Sequence, residues 1–468
     1  MKRLSILFLF CSIVLSSSFA QRSANVVFIG NSITYGALHQ QREQTAPPVQ
    51  CARWLIQQEE IDTVYFRNCG RSGKTTYHFL PNKADVIPAG DPTYFSDVVS
   101  KTRELVNAHP SLPLVFSIML GTNDSVERKH NSHTTPDNYI NNLCTIIDSL
   151  LTLWPDAHVV LNKPIWYYPD YQTKGGSIAS KKSLKLLDTY YDCFAKIVAR
   201  CKAGQVHIGD HEAYGYFKSH YKSDVFEEKD ARGKSYWLHP NEQGAKQLAA
   251  YWGKAILPVI KSIPVHPLYG KKIGIIGDSY VRNHRDKIEN TWHYKFAQKY
   301  GMQYYNYGKN GNCIALDLKQ WGTGMYKRYQ DMNDSLDYIV IIAGHNDASQ
   351  GRLDSIGVDL FKERLSVMLS GMRKKYPNGQ IFFITPWRCE NFAGSPRQRT
   401  IEAIKEVCAK YDVPVFDASR DSNIESDSFD FRKKYFQGGK GTDTAHLNAK
   451  GHDLFLPVAE QFLLQHIK

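Results

Sequence analysis

The chain has 468 residues, 42% of them apolar and 22% charged, with a formal net charge of +12. That length admits two or three domains, and that apolar share supports packed cores and argues against a disordered polymer. The positive charge is scattered, with no Lys/Arg block of the kind that marks a nucleic-acid footprint, so nucleic acid is not an expected partner.

At the N-terminus, Lys2 and Arg3 precede an apolar run from Leu4 to Leu15 and then Ser16-Ser17-Ser18-Phe19-Ala20. Small residues at 18 and 20 fit cleavage before Gln21, so residues 1–20 are predicted to be an export signal. The apolar run is short for a bilayer span, and no later segment is apolar enough to cross. The expected product is exported, periplasmic or secreted, without an integral membrane segment. Its cysteines are Cys51, Cys69, Cys144, Cys193 and Cys201 in the first half, then Cys313, Cys389 and Cys408 in the second. Each half holds an odd number and no CxxC pair, which is neither a disulfide framework nor a zinc signature. No metal and no cofactor is expected.

Strand-like and helix-like segments then alternate. Short apolar strands are predicted at 25–29, 63–67, 114–119, 158–161 and 205–208. Helices are predicted at 47–59, 92–108, 137–153 and 180–202, and from about 242. The second half repeats this rhythm, with strands at 272–276, 303–307, 338–342, 381–384 and 413–416 and a last helix after 447. β-Branched runs alternating with amphipathic helices predict parallel sheets covered by helices on both faces. Two prolines and a glycine between Ser262 and Gly270 mark a short stiff linker. The predicted domains are therefore 21–263 and 271–468, joined by a linker at 264–270.

A motif set occurs once in each half. The first half reads Gly30-Asn31-Ser32, Asn68-Cys69-Gly70, Gly121-Thr122-Asn123-Asp124 and His239-Pro240-Asn241. The second reads Gly277-Asp278-Ser279, Asn306-Tyr307-Gly308, Gly344-His345-Asn346-Asp347 and Asp443-Thr444-Ala445-His446. Each serine follows the first strand of its half, at the end of a sheet where ligands bind. A serine hydroxyl needs an adjacent base to become a nucleophile, and each histidine stands before the last helix. Gly70-Arg71-Ser72-Gly73-Lys74-Thr75 imitates a phosphate-binding loop, but Asn68 stands where that loop needs glycine.

The ordered Ser, Gly, Asn and His blocks resemble the SGNH branch of the GDSL hydrolases. The resemblance covers nearly the whole mature chain and implies two tandem flavodoxin-like α/β domains, each built on a mostly five-stranded parallel sheet. It implies Ser32 and Ser279 as nucleophiles and His239 and His446 as bases, with Asp443 orienting His446. It implies oxyanion holes from the serine N–H, the N–H of Gly70 or Gly308, and the side chain of Asn123 or Asn346. The first unit has Tyr236 where the second has Asp443. A backbone carbonyl, a carboxylate from Asp224, Glu227, Glu228 or Asp230, or a degenerate binding domain are the alternatives there. Without a carboxylate at position 236, loss of the Tyr236 hydroxyl is expected to matter little. The opening Gly30-Asn31-Ser32-Ile33-Thr34-Tyr35-Gly36 looks like exported carbohydrate acetylesterases, so the leading expectation is an O-acetylesterase acting on acetylated glycans or other small esters. A lipase, lysophospholipase or thioesterase is the alternative, as is one active domain beside a glycan-binding one.

Overall fold

The structure is a computed structural model that describes residues 22–468 apart from 83, 85, 86, 88, 89, 128–132, 174, 175 and 203. The predicted export signal at 1–20 lies outside the described residues. The described residues divide into two compact units, the first ending at Val265 and the second beginning at His266.

In the first unit β1 (Arg22–Gly30), β2 (Ile61–Gly70), β3 (Leu114–Met119), β4 (His158–Leu161) and β7 (Val206–Ile208) form one parallel sheet in the order β2-β1-β3-β4-β7. Residues 23–30 of β1 and all of β3 are buried, because helices cover both faces of the sheet. The strand period of two sorts the side chains. Val27 and Ile29 pack with Phe116 and Ile118 against helices Phe95–Ala108, Pro136–Leu153 and Lys181–Arg200. Val26 and Phe28 pack with Val115 against helices Pro47–Ile56 and Glu242–Ser262. Two antiparallel hairpins lie outside this sheet, β5 (Tyr171–Gln172) with β6 (Ile178–Ala179) and β8 (Val225–Lys229) with β9 (Ser235–Pro240). Neither hairpin was expected from the sequence, and the second of them carries half of the site.

The second unit repeats the sheet with β10 (Lys272–Gly277), β11 (Gln303–Gly308), β12 (Tyr338–Ile342), β13 (Gln380–Ile384) and β14 (Val415–Phe416) in the order β11-β10-β12-β13-β14, again parallel throughout. The strand predicted at 413–416 shrinks to its last two residues; Pro414 has no N–H to give the ladder. Ile273 and Ile275 face helices Trp292–Lys299 and Ala449–His466, while Ile276 faces helices Val358–Lys375 and Pro396–Lys410.

This strand order places a topological switch point in each unit. From β1 the chain goes to β2 on one side and then to β3 on the other, which leaves a crevice beyond the carboxyl ends of β1 and β3. β10 and β12 do the same in the second unit. All eight cysteines of the described residues are free thiols, seven of them buried, and the Sγ atoms of Cys144 and Cys201 are 3.6 Å apart. Among the described residues no helix is long and apolar enough to cross a membrane.

Candidate active site

Each crevice opens on a tight turn. β1 ends at Gly30, and Ser32 begins a single helical turn, Ser32–Tyr35, capped by the Asn31 side chain, which accepts from Ile33 N at 3.0 Å. β10 ends at Gly277, and Ser279 begins Ser279–Arg282, where Asp278 accepts from Tyr280 N at 2.9 Å. Asn and Asp fit such a cap because a short side-chain oxygen reaches the free N–H groups of the first turn. Both serines are nearly buried, so each hydroxyl is fixed by its neighbours.

The second motif clamps that turn to the next strand. Asn68 Nδ2 donates to Thr34 O at 3.0 Å, while its Oδ1 accepts from Gly70 N at 2.9 Å. Asn306 repeats this with Val281 O and Gly308 N. The glycine N–H that the resemblance assigns to the oxyanion hole is thus already donated to an asparagine in both units. The glycines are required by close approach. A Cβ on Gly70 would lie 2.3 Å from Tyr35 N, and one on Gly308 would lie 2.3 Å from Arg282 N.

The third motif turns on Gly121 (φ +132°) and Gly344 (φ +107°), backbone values open to glycine. Asn123 Nδ2 donates to Lys74 O at 3.1 Å. Asn346 Nδ2 donates to Asn312 O and to Asp278 Oδ2, both at 3.2 Å. The aspartates that follow fasten this loop. Asp124 accepts from Thr76 N at 3.0 Å and Thr76 Oγ1 at 2.6 Å, and Asp347 accepts from Ile314 N and Ala315 N at 2.9 and 3.0 Å. The false phosphate loop is accounted for here: its Lys74 ammonium pairs with Asp91 at 2.8 Å and its Lys74 carbonyl holds Asn123.

The histidines close the sites. His239 Nε2 lies 2.8 Å from Ser32 Oγ, and His446 Nε2 lies 2.8 Å from Ser279 Oγ. In the second unit His446 Nδ1 faces Asp443, 2.9 Å from Oδ2. Burial pushes the Asp443 carboxyl up, but bonds from the His446 side chain, the His446 N–H and the Ala445 N–H outweigh it and hold it at about 2. In the first unit His239 Nδ1 lies 2.8 Å from Glu228 Oε1. Of the four carboxylates open in the sequence, Glu228 on β8 is the one that reaches, while Tyr216 holds Asp224, Lys229 and Ser235 hold Glu227, and Arg232 holds Asp230. Tyr236, directly opposite Glu228 in the hairpin, donates its hydroxyl to Glu228 Oε2 at 2.9 Å. Burial first, then the Glu228 charge, raises the Tyr236 hydroxyl, so it stays protonated and donates. The expectation that the Tyr236 hydroxyl matters little is therefore corrected: it holds one oxygen of the carboxylate that faces His239.

An ionised carboxylate only accepts, so each Nδ1 carries its proton and each Nε2 is left as the acceptor for the serine hydroxyl. That tautomer is the one a base for serine needs. Asn241 and Asn448 anchor the histidine turns, each accepting from the N–H three residues on, Gly244 or Gly451, at 3.0 Å. Among the described residues no cluster of three or more metal-ligating side chains occurs.

The sequence pattern described as the GDSL-like lipase/acylhydrolase family matches residues 28–247 and again 275–454. Among solved structures, a protein from Lactobacillus plantarum is 23% identical over 43% of this chain and 99% of its own, with a TM-score of 0.37. TesA is 15% identical over 41% of this chain and 98% of its own, with a TM-score of 0.31. A carbohydrate esterase family 2 enzyme from Corynascus thermopiles (Myceliophthora fergusii), solved with a carbohydrate-binding domain, is 18% identical over 43% of this chain and 68% of its own, with a TM-score of 0.33. A comparison with curated proteins gives no match.

Proposed function

The chain belongs to the GDSL-like lipase/acylhydrolase family, in two tandem copies, and from that premise we propose that it is an exported carbohydrate O-acetylesterase with two working serine centres. The observation that carries the reading is the repeated Ser–His–carboxylate relay, with 2.8 Å from serine to histidine in both units. In each, the serine Oγ attacks the acetyl carbonyl while the histidine takes its proton. The histidine then gives that proton to the departing sugar oxygen, leaving an acetyl-serine. Water, deprotonated by the same histidine, releases acetate and restores the serine. The serine N–H and Asn123 or Asn346 supply the oxyanion donors, Asn346 by sharing one of its two bonds to Asn312 O and Asp278 Oδ2, and the Gly70 or Gly308 N–H joins them by sharing its bond with Asn68 or Asn306.

One feature favours esters on sugars over long acyl chains. In the first unit Trp166, Tyr168, Tyr221 and Trp237 form a cluster with ring centroids 5.2–6.2 Å apart. Trp237 is two residues before His239 and half-buried, and such rings stack on sugar faces. Export rests on the N-terminal residues 1–20.

The deciding experiment is acetate release from a panel of acetylated glycans by the wild type, Ser32→Ala, Ser279→Ala and the double variant. Two active sites predict partial loss in each single variant and complete loss in the double. Full activity in the double variant, or faster cleavage of octanoyl than acetyl esters, would overturn the reading.

A further inference from the structure

The base of the second unit has a neighbour that the base of the first lacks. The ring of His284 lies flat on the ring of His446, with centroids 4.1 Å apart and planes 12° apart. His284 stands five residues after Ser279, and the same place after Ser32 is Ala37. Among the described residues the side chain of His239 meets Ser32 and Glu228, with no ring stacked on it. There His39 Nε2 lies 3.0 Å from Pro240 O and braces the backbone of the base turn instead.

The chain is bent to put that ring there. Asn283 (φ +65°) and His284 (φ +43°) are consecutive non-glycine residues with left-handed backbone, which persists only where its surroundings enforce it. Gln437 supplies the grip. Its Nε2 donates to Asn283 Oδ1 at 3.1 Å and to Asn283 O at 3.2 Å, and its Oε1 accepts from Arg285 N at 3.3 Å, so it holds the residues on either side of His284. The backbone N–H of Gln437 donates to His446 O at 2.8 Å. One residue thus ties the His284 segment to the backbone of the base. Buried Asn283 is fixed further by donating to Lys287 O at 2.6 Å and accepting from His452 Nε2 at 3.1 Å.

We propose that His284 is a positioning residue of the second unit: its ring, held in place by Gln437, keeps the His446 imidazole in the plane that joins Asp443 to Ser279 Oγ. The inference rests on the ester-hydrolase reading above. His446 must hold two bonds at once, Nδ1 to Asp443 at 2.9 Å and Nε2 to Ser279 at 2.8 Å, and a pivot of the ring about its Cβ–Cγ bond weakens both. A flat partner opposes that pivot, because tilting one ring breaks the contact between them. The same partner suits the charged state of the base. When His446 takes the serine proton, a neutral His284 presents its π-face to the imidazolium. Burial first, then the charges of His446 and Arg285, hold His284 below its ordinary value against the pull of Asp443, so it is neutral where the base works. Arg285, Lys440, Asp286 and Asp443 border the cleft beside it, and their charges balance.

The test uses the full chain with Ser32→Ala, so that turnover of an aryl acetate reports Ser279. His284→Ala and His284→Phe demand the same backbone and differ in the ring. His284→Ala should lower kcat about tenfold with KM unchanged, while His284→Phe should stay within about threefold of the parent. Gln437→Ala leaves both rings and the N–H on His446 O; it should lower kcat about threefold in the parent and have no effect once His284 is Ala. The proton on His446 Nδ1, a downfield NMR signal assigned by its loss in His446→Ala, reads the ring without turnover. It should be sharp in the parent and in His284→Phe and broadened by exchange in His284→Ala. That pattern supports the proposal even if no ester is cleaved, in which case the esterase reading fails instead. Equal kcat or equally sharp Nδ1 signals in His284→Ala and its parent, His284→Phe as slow as His284→Ala, or a Gln437 effect that persists without the His284 ring would overturn it.

Discussion

Glu228 Oε1 lies 2.8 Å from His239 Nδ1, eleven residues earlier in the chain and on the opposite strand of a hairpin, whereas Asp443 reaches His446 from three residues away. One chemical relation is reached by two backbone routes. In the second unit a single turn brings the carboxylate under the imidazole. In the first, β8 and β9 pair Glu228 with Tyr236, and the tyrosine hydroxyl fixes the carboxylate at its second oxygen.

The first prediction follows from that pair. In the full chain with Ser279 replaced by Ala, Glu228→Gln should lower kcat on an aryl acetate on the order of 10⁴-fold, as a relay amide favours the wrong imidazole tautomer. Tyr236→Phe removes one bond to the carboxylate and should cost about 1 kcal/mol, a fall of roughly fivefold. Turnover of Glu228→Gln within a factor of ten of its parent would show that Glu228 does not orient the base.

Most of the sheet was legible because β1, β3, β10 and β12 are largely apolar, with a glycine at the end of β1 and β10 and two residues past the end of β3 and β12, and such runs read as buried strands. The serine, glycine, asparagine and histidine positions were legible because their order repeats. Glu228 was legible only as one of four. Its strand reads Val225-Phe226-Glu227-Glu228-Lys229 and its turn Asp230-Ala231-Arg232-Gly233-Lys234, a charged stretch with the composition of a solvated loop. The hairpin signal was present, two short β-prone runs separated by five residues including a glycine, but it is weak beside the charge pattern. The engagement of the Gly70 N–H by Asn68 was not legible at all, since a backbone donor leaves no mark in the sequence.

The second prediction concerns the asparagines. Asn123 Nδ2 is aimed by Lys74 O, and Asn346 Nδ2 by Asn312 O and Asp278 Oδ2. With the other unit silenced, Asn123→Ala and Asn346→Ala should each lower kcat by about two to three powers of ten, with little change in KM, because the donor acts on charge that develops only in the transition state. A rise in KM at constant kcat would assign them to ground-state binding.

The third prediction concerns the close approach behind the nucleophile. A Cβ on Gly308 would stand 2.3 Å from Arg282 N and 2.7 Å from Val281 C, backbone atoms of the turn that carries Ser279. Gly308→Ala must displace that turn, so turnover at Ser279 should fall at least about a hundredfold from misalignment alone. Gly215→Ala, where a Cβ meets nothing within 4 Å, is the matched control and should leave both activities intact. Equal effects of the two substitutions would show that the Gly308 contact does not set the serine position.

The last prediction uses the difference at the caps of the two serine turns, Asn31 against Asp278. Burial pushes the Asp278 carboxyl up to about 7 from an ordinary value of 3.8, against the lowering pull of the Tyr280 N–H. Between those values the folded unit keeps a proton that the unfolded chain has released. The stability this confers is fully present below pH 3.8 and is lost as pH rises through 7, on the order of 4 kcal/mol across the interval. Asp347, which burial raises to about 6, acts in the same direction. Asp278→Asn removes the first contribution and leaves the second. Asn31 shows that an amide can serve this cap, with its Oδ1 3.0 Å from Ile33 N, but its Nδ2 is buried without a hydrogen-bond partner among the described residues, a loss of about 1–3 kcal/mol. Asp278→Asn should therefore lower the Tm of the second unit at pH 5, where the buried acid is neutral, and restore or exceed the wild-type Tm at pH 8, where ionising it opposes folding. Calorimetric melting of the full chain from pH 5 to pH 8 checks this, with the crossing of the two curves as the expected result. Parallel curves would show that Asp278 is ionised throughout and that the Asn346 amide and the Tyr280 N–H stabilise the charge fully.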